Sequence, residues 1–132
     1  KITFPYISKY EKFGNVIVDS KENYYVVCGH EDKEHENENN TKVLAVIKYD
    51  NNLKEIGKCE YSSNETGEDS GGMRNPFEFG ECSVVIDNTG RLICNCATIM
   101  YNTHQRSHVI CVDTKTMKKE NIVHIALHSR YI

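Results

Sequence analysis

The sequence predicts an all-β protein built from two four-stranded antiparallel units. Three observations support this fold class. Runs rich in Val, Ile and Tyr alternate with turns rich in Asn, Asp, Ser and Gly, and no helical period of useful length is present. One hairpin motif also occurs twice: a β-rich run ends in Asp50 or in Asp113, and a polar turn, an apolar residue and Lys follow. Such a long-period repeat is typical of stacked or radial arrays of sheets.

We expect a first unit over about residues 14–61 and a second over about 81–125, joined by a link over 62–80. The strands predicted for the first unit are 14–18, 24–28, 42–49 and 54–61. Those predicted for the second unit are 82–86, 91–98, 108–112 and 117–125. Four antiparallel strands make one blade of a β-propeller, so the repeat favours a propeller fragment. A single β-sandwich or barrel of eight strands is the alternative.

Turn signals separate these strands. Asp19 and Asp87 begin matching turns after the first strand of each unit, and Asp50 and Asp113 begin matching turns after the third. The acidic, Asn-rich segment 30–40 lies between the second and third strands of the first unit. It lacks the ligand spacing of a calcium loop, so we interpret it as a solvated loop.

Composition excludes some classes of function. Lys and Arg number 16 against 19 Asp and Glu, and the basic residues are scattered, which argues against nucleic-acid binding. No apolar run is long enough for a membrane span. Two blades alone would expose sheet edges and apolar faces. We therefore expect the remaining blades of a larger chain, or self-association, as partners.

The six cysteines are predicted to be mostly reduced. Cys28, Cys82, Cys94, Cys96 and Cys111 lie inside apolar strand runs, where a free thiol packs as a small hydrophobic side chain. Cys94 and Cys96 share one face of a strand, but no second pair completes the four ligands of a zinc site. We expect no metal and no other cofactor.

Six candidate ligand-binding residues lie near connections between strands. They are Tyr101, His104, Gln105, His108, His128 and Arg130. The first four belong to the connection between the second and third strands of the second unit. They combine several hydrogen-bonding groups with one aromatic face, which suits a small anionic or carbohydrate ligand. The last two would begin the innermost strand of a third blade, which lines the axial channel of a propeller.

Six short motifs, taken in order, carry a family resemblance. They lie at 24–29, 46–50, 76–82, 100–101, 104–105 and 128–129. In this order they are similar to landmarks in large, exported, uncharacterised bacterial proteins whose repeats suggest a β-propeller. The resemblance covers the chain from about residue 14 to its end, and it departs from the family pattern at Ala97, where the family usually has a His. It implies a propeller fold and an extracellular or cell-surface location, and no established activity.

We therefore expect a non-catalytic binding or scaffold segment of an exported or cell-surface β-propeller protein. The alternative is an enzyme of transferase or lyase type, with an active site in a propeller channel that further blades complete. A distant similarity to arylsulfotransferase-like proteins would then imply His104 or His128 as acid, base or nucleophile. It would imply Arg130 as the group that holds the anion.

Overall fold

The computed structural model describes residues 9–32, 41–65, 72–77, 82–100, 105–120 and 123–127, the last range by its backbone. Within these ranges the protein is all-β, as predicted, with two antiparallel sheets and one short 3-10 turn. No helix in the described part of the chain is long and apolar enough to cross a membrane.

The first sheet has four strands in the order of the chain. They are β1 (Lys12–Val18), β2 (Tyr24–Gly29), β3 (Lys42–Tyr49) and β4 (Glu55–Ser62). Each lies within two residues of its predicted bounds. In the two central strands, neighbouring residues such as Val26 and Val27, or Ala45 and Val46, are all buried. Because neighbours in a strand point to opposite faces, both faces of this sheet are buried.

The second sheet has five strands in four rows. They are β5 (Met73–Pro76), β6 (Cys82–Ile86), β7 (Arg91–Met100), β8 (Gln105–Asp113) and β9 (Val123–Leu127). Both β5 and β6 pair with β7, opposite residues 98–100 and 92–96, so they form one edge row with a break in it. The sequence did not predict β5, and it predicted the last strand over 117–125, earlier than the structure has it.

The two sheets pack against each other through one core. Its members include Tyr25, Val27, Leu44, Val46, Leu92, Cys94, Ile110 and Val112. Gly29 lies close to the second sheet: an added Cβ would lie 2.5 Å from Pro76 Cγ, and 2.8 Å from the carbonyl oxygen of Val43 in the neighbouring strand β3. The sheets are not closed into a ring, and the propeller assignment stays a prediction.

The predicted hairpin repeat has a common turn geometry. The Oδ1 atoms of Asp19, Asp50, Asp87 and Asp113 each accept the backbone N–H two residues further on, at 2.8 to 2.9 Å. Each turn contains one residue with positive φ. These residues are Glu22, Leu53, Gly90 and Met117. A carboxylate that binds its own turn in this way is the physical reason for the repeated Asp.

Hydrogen bonds join the end of the first sheet to the segment that follows β8. The 3-10 turn Ser63–Glu65 follows β4, and Glu65 Oε2 accepts the N–H and the hydroxyl of Ser62 at 2.7 and 2.8 Å. The amine of Lys119 donates to Glu65 and, at 2.9 Å, to the carbonyl oxygen of Glu60. Partial burial acts to raise the pKa of Glu65, but the hydrogen bonds from Lys119 and Ser62 lower it to about 2.

Candidate functional site

A cleft of about 540 Å³ lies between the two sheets at the end that carries the Asp turns. Its apolar lining comes from Ile17 and Tyr25 of the first sheet and from Ile86 of the second. Val18 and Val85 also line it and are 51% and 52% exposed. We call this site the turn-end cleft. Its walls belong to turns that pack side by side only because the two sheets share a core.

The carboxylates of the turn-end cleft are already engaged by their own turns. Asp19 accepts two hydrogen bonds from Asn23, at 3.0 and 3.2 Å, and one from the hydroxyl of Tyr25 at 2.8 Å. Burial acts to raise the pKa of Asp19, but these hydrogen bonds lower it below its usual value. In Asp87 the hydroxyl of Thr89 and backbone N–H groups likewise lower the pKa. Both groups are therefore firmly held anions.

The amines of the turn-end cleft are differently placed. Lys48 Nζ donates to the carbonyl oxygen of Thr114 at 2.8 Å and lies 5.5 Å from the ring centroid of Tyr25, so it links the two sheets. Lys21 and Lys115 line the same cleft, and their exposed amines make no hydrogen bond or ion pair with any described residue. The charged groups of the cleft that are available to a ligand are thus the positive amines of Lys21 and Lys115.

Most of the predicted site residues lie outside the described part of the chain. These are Tyr101, His104, His128 and Arg130. Gln105 and His108 are described, and both belong to β8, which begins three residues earlier than predicted. Because the two are three positions apart in a strand, they point to opposite faces. The structure does not bring these two side chains together.

His108 is a buried core residue with no exposed surface. Its Nδ1 lies 3.0 Å from the hydroxyl oxygen of Thr98, and that hydroxyl also lies 3.0 Å from the carbonyl oxygen of Arg106. A hydroxyl has one hydrogen. When Thr98 donates it to the carbonyl, its oxygen accepts from the Nδ1–H of His108. This arrangement orients the imidazole inside the core.

Two arginines lie near this end of the second sheet: Arg106 belongs to the connection predicted to bind a ligand, and Arg74 was not predicted as a site residue. Arg106 is only 9% exposed, and its Nε has no hydrogen-bond acceptor among the described residues. The Nε of Arg74 in β5 is also buried without an acceptor in the described part of the chain. A buried N–H donor without an acceptor is costly. Arg106 is therefore a second place where an anion would be stabilising.

The cysteines are free thiols, and five of them lie in strands at the predicted positions. Cys82 is half-buried in β6, and its Sγ lies 3.6 Å from the Sγ of buried Cys94 in β7. Among the described residues, no group of three or more His, Cys, Asp or Glu side chains is placed to hold a metal ion. Cys82 and Cys94 are thus in contact, and Cys94 also forms a side-chain hydrogen bond with Cys96.

Comparison of the chain with protein-family models, with curated proteins and with solved structures found no match. The resemblance to exported bacterial repeat proteins thus stays a prediction. Arguments about function depend on the geometry of the turn-end cleft and of the sheets around it.

Proposed function

We propose that the chain is a non-catalytic binding or scaffold segment of an exported or cell-surface β-propeller protein, and that its turn-end cleft binds a small organic anion. The observation that carries this proposal is the combination of an apolar lining with two lysine amines that have no acceptor in the described structure. A volume of about 540 Å³ lies within the range typical of small-molecule sites.

The charges of the cleft favour an anion over a cation. The carboxylates of Asp19 and Asp87 accept hydrogen bonds from their own turns. The amines of Lys21 and Lys115 remain available to donate charge-assisted hydrogen bonds to a carboxylate or sulfate. The aliphatic side chains of Ile17, Val18 and Val85 would contact the apolar body of the same ligand. A carboxylic acid with an aromatic, aliphatic or sugar-ring body fits this chemistry.

The same cleft supports binding rather than catalysis. A general base that works near neutral pH needs a raised pKa and a free lone pair. The pKa values of Asp19 and Asp87 are lowered instead, because hydrogen bonds favour their ionised forms. These carboxylates thus act as parts of the turns.

A scaffold role is supported by the first sheet, which carries buried apolar side chains on both faces. A sheet of this kind is an inner layer, since its two faces are both removed from water. Repeats that stack in this way bury a continuous core between neighbours. Both faces are already covered within the single chain, and additional blades or a second copy of the chain are the partners that we propose for this role.

The test is a titration of the isotopically labelled protein followed by amide NMR shifts. The probes are benzoate and glucuronate as anions and glucose as a neutral analogue. We expect both anions to shift amides of residues 19–23 and 87–90, with a dissociation constant of about 1 mM and little response to glucose. Replacing both cleft lysines, Lys21→Ala with Lys115→Ala, should weaken anion binding about tenfold, which corresponds to about 1.4 kcal/mol.

The matched control is Lys54→Ala with Lys58→Ala, which removes two exposed amines outside the cleft. It should leave binding unchanged. Equal weakening in both double variants would mean that only net charge matters, and the proposal would fail. Shifts centred on residues 98 and 106 would place the anion at Arg106 and would also overturn it.

A further inference from the structure

Cys82 and Cys94 are placed to react with each other. Their sulfur atoms lie 3.6 Å apart, and a disulfide bond is about 2.05 Å long, so a shift of about 1.5 Å joins them. In the ladder between β6 and β7, Cys82 lies opposite Cys96 and Val84 lies opposite Cys94. The reacting pair is thus diagonal, on the core face of two hydrogen-bonded strands.

We propose that Cys82 and Cys94 form a redox-active pair that becomes a disulfide by exchange with an external disulfide, such as oxidised glutathione or a disulfide-carrying protein. The Cys82 thiolate attacks one sulfur of the external disulfide, which forms a mixed disulfide and releases one external thiolate. The Cys94 thiolate then attacks the Cys82 sulfur and displaces the second external thiolate. Two electrons pass to the external disulfide, and the two protons from the cysteines go to the released thiolates.

The different burial of the two thiols determines which one reacts first. Cys82 is half-buried and can meet an external disulfide, whereas Cys94 has no exposed surface and can react only with a neighbour inside the protein. Cys82 is therefore the attacking residue and Cys94 the resolving residue. The hydrogen bond with Cys94 and, to a lesser extent, burial raise the pKa of Cys82, so this thiol is protonated at neutral pH and we expect its exchange to be slow.

Cys82 packs closely against β1. Gly14 of β1 faces it, and a Cβ added there would lie 3.0 Å from the Cys82 Sγ. The carbonyl oxygen of Cys82 also accepts a hydrogen bond of 2.9 Å from the side chain of Asn15. These contacts hold the backbone of β6 against β1 while the sulfur turns toward Cys94.

The experiment uses the unmodified folded chain. The protein is equilibrated with oxidised glutathione, quenched in acid, alkylated and digested with trypsin. Cleavage at Arg91 separates Cys82, in peptide 75–91, from Cys94 and Cys96, in peptide 92–106. We expect these two peptides to be joined with the loss of two hydrogens, and fragmentation to place the bond at Cys94. Dithiothreitol should reverse the link.

Cys111 is the matched internal control, because it is also half-buried and its thiol has no sulfur partner among the described residues. It should end as a glutathione adduct. In Cys94→Ala the adduct on Cys82 should persist, while Cys96→Ala should keep the link. The inference is overturned if wild-type Cys82 remains a glutathione adduct or is fully alkylated, or if the bond maps to Cys96.

Discussion

Replacing Gly29 with Ala should destabilise the protein by about 2 kcal/mol, because the new methyl group has no space between the two sheets. An added Cβ would lie 2.5 Å from Pro76 Cγ and 2.8 Å from the carbonyl oxygen of Val43. Neither atom can rotate away, since one is in a ring and the other in the backbone. Overpacking of this severity costs about 3 kcal/mol, and the stiffer unfolded chain returns about 0.7 kcal/mol.

The assay is urea unfolding followed by circular dichroism. With a slope of about 2 kcal/mol per molar urea, the midpoint should fall by roughly 1 M. Gly57→Ala is the matched control, because its Cβ would meet only the side chain of Met117, at 2.9 Å, which can move by rotation. It should cost less than about 1 kcal/mol. A Gly29→Ala protein as stable as wild type, or one no less stable than Gly57→Ala, would refute the account of how the sheets pack.

Other perturbations test the core, the acid dependence and the link between the sheets. Leu92→Ala should lower the free energy of unfolding by about 3 kcal/mol, and unfolding should remain a single transition. The control, Val85→Ala at a half-exposed position, should cost less than about 1 kcal/mol. Two separate unfolding transitions would contradict a shared core. Partial burial opposes the shift, but hydrogen bonds lower the pKa of Glu65 to about 2 from 4.5. Its stabilising effect should therefore be present above pH 4.5 and fade toward pH 2, so wild type and Glu65→Gln should converge in urea midpoint on acidification. Lys48→Met should cost about 1 kcal/mol, measured in the same way, because the carbonyl oxygen of Thr114 loses its donor; an unchanged midpoint would contradict that link.

The strands were predictable where the sequence pattern is local. The run 42–49 consists largely of apolar residues and ends at an Asp turn, and its predicted bounds agree with β3. By contrast, β5 has four residues, includes Pro76 and contains no β-branched side chain, so composition gives no strand signal. The last strand was predicted over 117–125, but the turn after Asp113 closes one residue later than the others, at Met117, whose φ is +57°. An isolated bridge at Lys119 follows, and β9 itself is Val123–Leu127.

The candidate site was less predictable than the fold. The turns at Asp19 and Asp87 were recognised as a repeated feature, but their meeting in one cleft depends on the packing of the sheets. No local pattern in the sequence contains that information. Gln105 was interpreted as a loop residue and His108 as the residue where the connection meets the next strand, although both lie within β8. A strand alternates its faces, so the correct strand bounds were needed to see that their side chains separate.

The break between β5 and β6 has a consequence for aggregation. A long, flat edge strand is a template onto which another chain can add by hydrogen bonding. Here that edge of the second sheet is divided into two short pieces, and the first ends in Pro76, which has no backbone N–H to offer. The edge strand β1 of the first sheet has an irregular register between Phe13 and Asn15. Both edges are thus poor templates for another chain, and β1 also lies against β6, where the side chain of Asn15 donates to the carbonyl oxygen of Cys82.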